Sequence, residues 1–318
     1  MLTAAALLGA LAIVLAWPAP ILLARAAWPE RSPAVALALW QAIGIAGGLS
    51  MIGSLVALGL APAQADAERD GRPGGILALF ELVPRLWSGP LPEGFGVVHL
   101  AALTLAVVLG GHLLANLAVT AVAAERSRRR QHRLLELLSD PLPGDPAARV
   151  LAHPAPIAYC VPGVRTATVL TDGLVELLEP RQLRAVLAHE HAHLAGLHHL
   201  ILLAFRAWHS ALPWFPIANR AERAVTLLTE YLADDEAASR IGPAALRDAL
   251  GRVGVDGELA AYAEAGGVVL DADMLARRLR RLDDEHAAPL APRLRTAITV
   301  GAGVLVVAPV LVLAGVVL

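Results

Sequence analysis

Leu183-Arg-Ala-Val-Leu-Ala-His189-Glu190-His-Ala-His193-Leu-Ala-Gly-Leu-His-His199 is the stretch that decides how the rest of this chain is read. Leu183, Val186, Leu187, Leu194 and Leu197 recur at helical spacing, and Pro180 suits a first helical turn, so the segment predicts a helix with one apolar side. His189, Glu190 and His193 spell H-E-x-x-H on it. Residues four apart lie one above the other, so both imidazoles can reach one metal ion while Glu190, one step round, faces a water on that ion. Zinc held in this way acidifies its water to a pKa of about 7, and a neighbouring carboxylate can take up and return the proton. That is chemistry for cleaving amides. A helix merely rich in histidine would be a solvated face or an adventitious metal site; the apolar side and the proline start favour the catalytic reading.

Composition says where such a helix works. The mean hydropathy is +0.60, with 57% apolar and 17% charged residues. An ordinary soluble domain has about half apolar and a quarter charged, so this is the composition of a membrane protein. A net charge of -2 gives no basic face for nucleic acid, and no direct nucleic-acid partner is expected. All 26 basic residues are arginine. The single Cys160 excludes an internal disulfide and reads as a small buried hydrophobe.

Four stretches are apolar enough to span a hydrocarbon core of about 30 Å: residues 2–24, 33–60, 97–123 and 296–318. The first lacks the basic lead and short apolar core of a cleaved signal peptide. Gly44, Gly47, Gly48 and Gly53 on the second permit close helix packing. Residues 61–96 read as an external loop whose apolar piece, Ile76 to Trp87, lies on the bilayer surface. His99, His112 and Asn116 on the third span predict interhelical hydrogen bonds. Arg126, Arg128, Arg129, Arg130 and Arg133 follow that span, and Arg277, Arg278, Arg280, Arg281, Arg293 and Arg295 precede the last. The positive-inside rule then makes residues 124–295 a cytoplasmic domain and leaves both termini external. Residues 1–123 form the three-helix membrane part and 296–318 the C-terminal span. Residues 199–216 are too short and too polar to cross, and read as a helix dipping into the inner leaflet.

Within 124–295, Ile157 to Cys160 and Thr166 to Leu170 predict two short strands turning at Pro162-Gly163. Such an edge beside a zinc helix can take a substrate backbone by strand addition. Asp172-Gly173 opens a short helix leading to Pro180. The fold class expected is a mostly α integral membrane protein of about four transmembrane helices with a small α+β zincin-like (gluzincin) catalytic domain.

Two readings compete for the third ligand. His193 to His199 completes H-E-x-x-H-x-x-G-x-x-H, in which Gly196 turns the chain so that His199 reaches the metal; the Met-turn that accompanies this motif has no counterpart, because Met274 lies in a helical-looking stretch. Alternatively Glu230 is the ligand and Asp234, one turn later, accepts the other N–H of a ligand histidine. Ala158-Tyr-Cys-Val-Pro-Gly163, Thr171-Asp-Gly-Leu174, Ala185-Val-Leu-Ala-His-Glu190 and Glu230-Tyr-Leu-Ala-Asp234 resemble the membrane zinc metallopeptidases of the BlaR/MecR type and their HtpX and CAAX-protease relatives. The resemblance implies Zn2+ on His189, His193 and Glu230, Glu190 as general base and Asp234 behind a ligand, and it favours Glu230 over His199. His191 and His198 read as exposed or interface histidines. The antibiotic-sensing members carry an external penicillin-binding domain with a lysine-activated serine; this chain ends at Leu318 and has no lysine, so no β-lactam sensing is expected.

The function expected is therefore that of a membrane-anchored zinc endopeptidase acting on a protein or peptide substrate at or near the lipid bilayer, with the resemblance pointing to a BlaI-type transcriptional repressor. The competing reading is a non-catalytic metal-binding or transport protein using the five histidines between His189 and His199. Glu190 argues against it, since metal binding alone does not need that carboxylate.

Overall fold

The computed structural model describes residues 1–72, 74–142, 145–163, 166–213, 216–256, 272–284 and 288–314. Among the described residues, four helical stretches are long and apolar enough to cross a membrane: Leu2–Arg25, Pro33–Arg69, Val97–Leu138 and Pro292–Leu313. The last four residues of the predicted final span, 315–318, lie outside the described residues. The first stretch is two helices, α1 (Leu2–Ala16) and α2 (Pro18–Arg25), broken at Trp17 where Pro18 and Pro20 remove backbone donors. A short α3 (Trp28–Arg31) turns the chain into α4 (Pro33–Arg69).

Both long helices overrun their apolar stretches. At 1.5 Å per residue, α4 is about 55 Å long and α6 (Val97–Leu138) about 63 Å, well beyond the roughly 30 Å of a hydrocarbon core. Past Leu60, α4 continues through the Ala-, Asp- and Glu-bearing tail to Arg69, so the expected loop 61–96 begins as helix. The overrun of α6 carries the arginine run and delivers the chain to the sheet. Between them, α5 (Ala78–Ser88) buries Ala78 and Leu82 against α4 and leaves Phe80 and Trp87 75% and 88% exposed, the one-sided pattern of a surface-lying segment.

Close helix packing uses only some of the expected glycines. A side chain at Gly53 would press on Leu313 of α13 (Pro292–Leu313) and on Leu8, whereas Gly48 faces open space. The tightest approach in this bundle is at Gly59, against Leu103 of α6, with no space for a Cβ.

The remaining chain is a small sheet with helices. Strands β1 (Ser139–Leu142), β2 (Asp145–Leu151), β3 (Ala158–Val161) and β4 (Ala167–Thr171) are ordered β1-β2-β4-β3, with β2 and β4 parallel and the other pairs antiparallel. The two strands read from the sequence are β3 and β4, each displaced by one residue. The hairpin β1–β2 escapes that reading because Pro141 and Pro146 look like breakers. Pro141 is tolerated because β1 is an edge strand, and Pro146 stands at the second residue of β2, before its pairing with β4 begins at Ala148.

Thr171 caps α7 (Asp172–Leu177): its hydroxyl accepts from Leu174 N–H and Ile157 N–H and donates to Ala155 O, while Asp172 accepts from His153 N–H. These bonds fasten the lead-in to β3. Next come α8 (Pro180–Ala195), α9 (His198–Ala211), α10 (Pro216–Ile241), α11 (Pro243–Asp256) and, beyond residues outside the description, α12 (Ala272–Asp283). Leu170, Leu174, Leu178 and Ala249 form one core against Leu183, Val186 and Leu187, which are the apolar side of the motif helix.

Candidate metal centre

Helix α8 starts where its sequence says it should. Pro180 occupies the first turn, and Glu179 N–H donates to Gln182 Oε1 at 3.0 Å in a capping box. With the leucine side sunk in the core, the helix presents His189, Glu190 and His193 to a cavity of about 160 Å³, and α10 brings Glu230 to the same place. His189 and His193 Nε2 are 3.1 Å apart; Glu230 Oε2 lies 3.3 Å from the first and Oε1 3.4 Å from the second. Four ligands placed tetrahedrally at about 2.0–2.1 Å from zinc stand roughly 3.3 Å from one another. Each imidazole nitrogen thus has a Glu230 oxygen at about that spacing, one atom from each of the three residues lies within 4.8 Å of the others, and no other group of three or more potential ligands occurs among the described residues.

Behind the ligand atoms, Asp234 Oδ1 stands 3.0 Å from His189 Nδ1, although off the line of a straight ring N–H bond. Asp234 is itself clamped. Arg278 of α12 donates Nε to Oδ2 at 2.8 Å and Nη2 to Oδ1 at 2.6 Å, and its Nη1 lies 2.9 Å from Glu230 Oε2. Arg278 is only 2% exposed, so one buried guanidinium serves both carboxylates. Burial by itself would raise Glu230 and Asp234; Arg278 and the imidazoles outweigh it and hold both below the ordinary carboxylate range, Glu230 well below. Burial would likewise lower His189, yet its contacts with Asp234 and Glu230 push it up to about 9.

His198 joins the centre from the other side. The chain turns at Gly196 and Leu197, the latter left-handed at φ 50°, and folds His198 back so that its Nδ1 sits 2.9 Å from His193 Nδ1. A metal ion on His193 Nε2 would leave the ring proton on Nδ1, facing a neutral His198, whose pKa burial and His193 lower to about 4. A Cβ at Gly196 would collide with His198 Nε2. His199 is outside the candidate ligand group and half-buried, with burial and Arg128 of α6 lowering its pKa. The reading of His198 as an exposed or interface histidine is corrected: it is buried against His193. Arg278, counted from sequence only as a topology charge, is likewise part of the centre. Neither role has a local signal, since each depends on a contact made across a turn or between helices.

Glu190 is buried beside the cavity with the Cys160 thiol of β3 next to it; burial and the Glu190 carboxylate push that thiol up, so it stays protonated. The cavity continues away from the ligands between Leu174, Val186, Leu246, Leu250, Val253 and Leu275. Pro156, Ile157 and Ala158, at the start of the edge strand β3, line its mouth. The H-E-x-x-H side chains, a metal-sized gap, an apolar cavity and the edge strand β3 are thereby collected at one place.

No curated protein and no solved structure matches the chain. Residues 123–239 match the model of peptidase family M48, a stretch running from the end of the apolar part of α6 into the last turns of α10 and so including His189, Glu190, His193, Glu230 and Asp234, which supports a membrane-type metallopeptidase.

Proposed function

We propose that this chain is a membrane-anchored, zinc-dependent endopeptidase that cuts protein segments lying close to the bilayer. The observation that carries the reading is the gathering of His189 Nε2, His193 Nε2 and the Glu230 carboxylate, one oxygen facing each imidazole, beside Glu190 at the head of an apolar cavity. Zinc on these residues would supply Lewis acidity toward the scissile carbonyl and an acidified water. Glu190 would accept a proton on its carboxylate and return it to the departing amine. Asp234 stands by the Nδ1 of His189 and His198 by that of His193, and Arg278 holds Glu230 and Asp234.

The substrate enters extended. The outer edge of β3 is free to pair with a peptide backbone, and the cavity, close to the roughly 150 Å³ that admits a benzene ring, takes one large apolar side chain next to the scissile bond. Arginines flanking the third and last spans support a cytoplasmic catalytic part and external termini. The motif resemblance at Ala158–Gly163 and Glu230–Asp234 extends the proposal to a BlaI-type repressor as substrate. Carriage of metal across a bilayer would instead call for ligand groups along the spans.

The test is purified full-length protein assayed for bound metal and for cleavage of casein and of itself. One zinc per chain with cleavage that disappears in Glu190→Gln is the expected result. Zinc binding with no cleavage in any lipid environment would favour the non-catalytic reading. For the substrate, Glu190→Gln used as a trap in cells should retain a DNA-binding repressor; retention of membrane proteins alone would remove the repressor from the proposal.

A further inference from the structure

Nearer the start of α10 a second groove of about 320 Å³ opens between α2, α4 and α10, with α12 at its far end. Its floor is apolar, made of Leu23, Trp40, Leu228 and the Tyr231 ring, all buried. Arg220 and Arg223, three apart and so on one face of α10, stand exposed on its rim. Among the described residues neither has a carboxylate partner, whereas Arg277 at the other end lies 2.9 Å from Asp273 and 3.7 Å from Glu30.

Depth gives these charges their meaning. Ala218 and Ala221 share a small apolar cavity with Trp40, Ile43 and Gly44 of α4. Those α4 residues lie about 10–16 Å from Pro33 along the helix axis, inside the apolar stretch of the span. Arg220 and Arg223 therefore leave α10 at the level of hydrocarbon and must run their stems back toward the headgroups, where the available counter-charge is lipid phosphate. We propose that the groove binds one anionic glycerophospholipid of the leaflet facing the catalytic part, with its phosphate between Arg220 and Arg223 and an acyl chain along Leu23, Trp40 and Leu227. The site is separate from the metal centre, and its occupancy is read without any peptidase activity.

The experiment uses the full chain in nanodiscs of phosphatidylcholine with and without phosphatidylglycerol, followed by native mass spectrometry of retained lipid. Wild-type protein should keep one phosphatidylglycerol in preference to phosphatidylcholine, and soluble glycerophosphate should not displace it. Arg220→Gln with Arg223→Gln should weaken retention roughly thirtyfold, about fivefold per arginine, and the paired lysine variant should restore most of it. Arg126→Gln, in the run beyond the third span, should retain lipid normally. Leu227→Trp keeps both charges and narrows the acyl path, so it should also shed the lipid, which covers the case of a poorly folding arginine pair. Equal retention by the double glutamine variant, equal binding of phosphatidylcholine, displacement by soluble glycerophosphate, or occupancy by a peptide in place of lipid would each overturn the proposal.

Discussion

At the scale of single residues the centre makes distinguishable demands. Glu190→Gln preserves shape but cannot accept a proton, so zinc content should stay at wild-type level while cleavage falls below detection. Glu230→Gln should lose zinc on dialysis against a weak chelator, because two histidines hold the ion poorly, and His199→Ala should keep it, since that residue stands outside the candidate ligand group. The reverse pattern would make His199 the ligand. Gly196→Ala drives a methyl group into His198 and so shifts the partner of His193 Nδ1; a loss of about 10–100-fold in zinc affinity with an intact fold is expected from calorimetric titration. Unchanged affinity would show that the His198 contact does nothing for the metal.

At the scale of elements, α12 behaves as a strap across α10. Arg278 grips Glu230 and Asp234, while Arg281 pairs with both oxygens of Asp235 at 2.6 and 2.9 Å, reaches Glu30 O at 2.7 Å and covers the Tyr231 ring. Removing Arg278 leaves two buried carboxylates without their cation, a loss of about 3–5 kcal/mol for a buried pair. Arg278→Gln should therefore lower the unfolding midpoint strongly in metal-free protein and less with zinc, whose charge partly replaces the guanidinium. An equal drop in both states would mean that Arg278 does not share Glu230 with the metal. Helix α9 is fastened differently. Asn116 of α6 donates to Ala207 O at 2.5 Å and to Ser210 Oγ at 2.8 Å, and His112 Nε2 lies 3.1 Å from Ala211 O, so the polar residues of the third span close the carbonyl end of α9.

At the scale of the whole molecule those same bonds measure depth. His112 is about 22 Å along α6 from Val97, near the middle of its apolar stretch, so α9 descends beside the span and α10 returns from it. A reporter active only outside the cell should work when fused at residue 318 or near Gly74 and stay silent near Gly144; activity at Gly144 would overturn the cytoplasmic placement. Much of this was legible in the chain itself: four apolar stretches of spanning length, the helix with H-E-x-x-H, the two strands before it and the acids of α10. Those features are local, since hydropathy, a 3.6-residue period and turn residues act within a few positions. What only the tertiary structure decided is which polar residues meet. His198 rather than His199 faces the centre because one left-handed residue at the α8–α9 corner sets the direction of the next helix, and Arg278 reaches Glu230 because α12 packs across α10 from 48 positions further along the chain. Contacts of that kind follow from how helices cross, which no spacing within a single helix encodes.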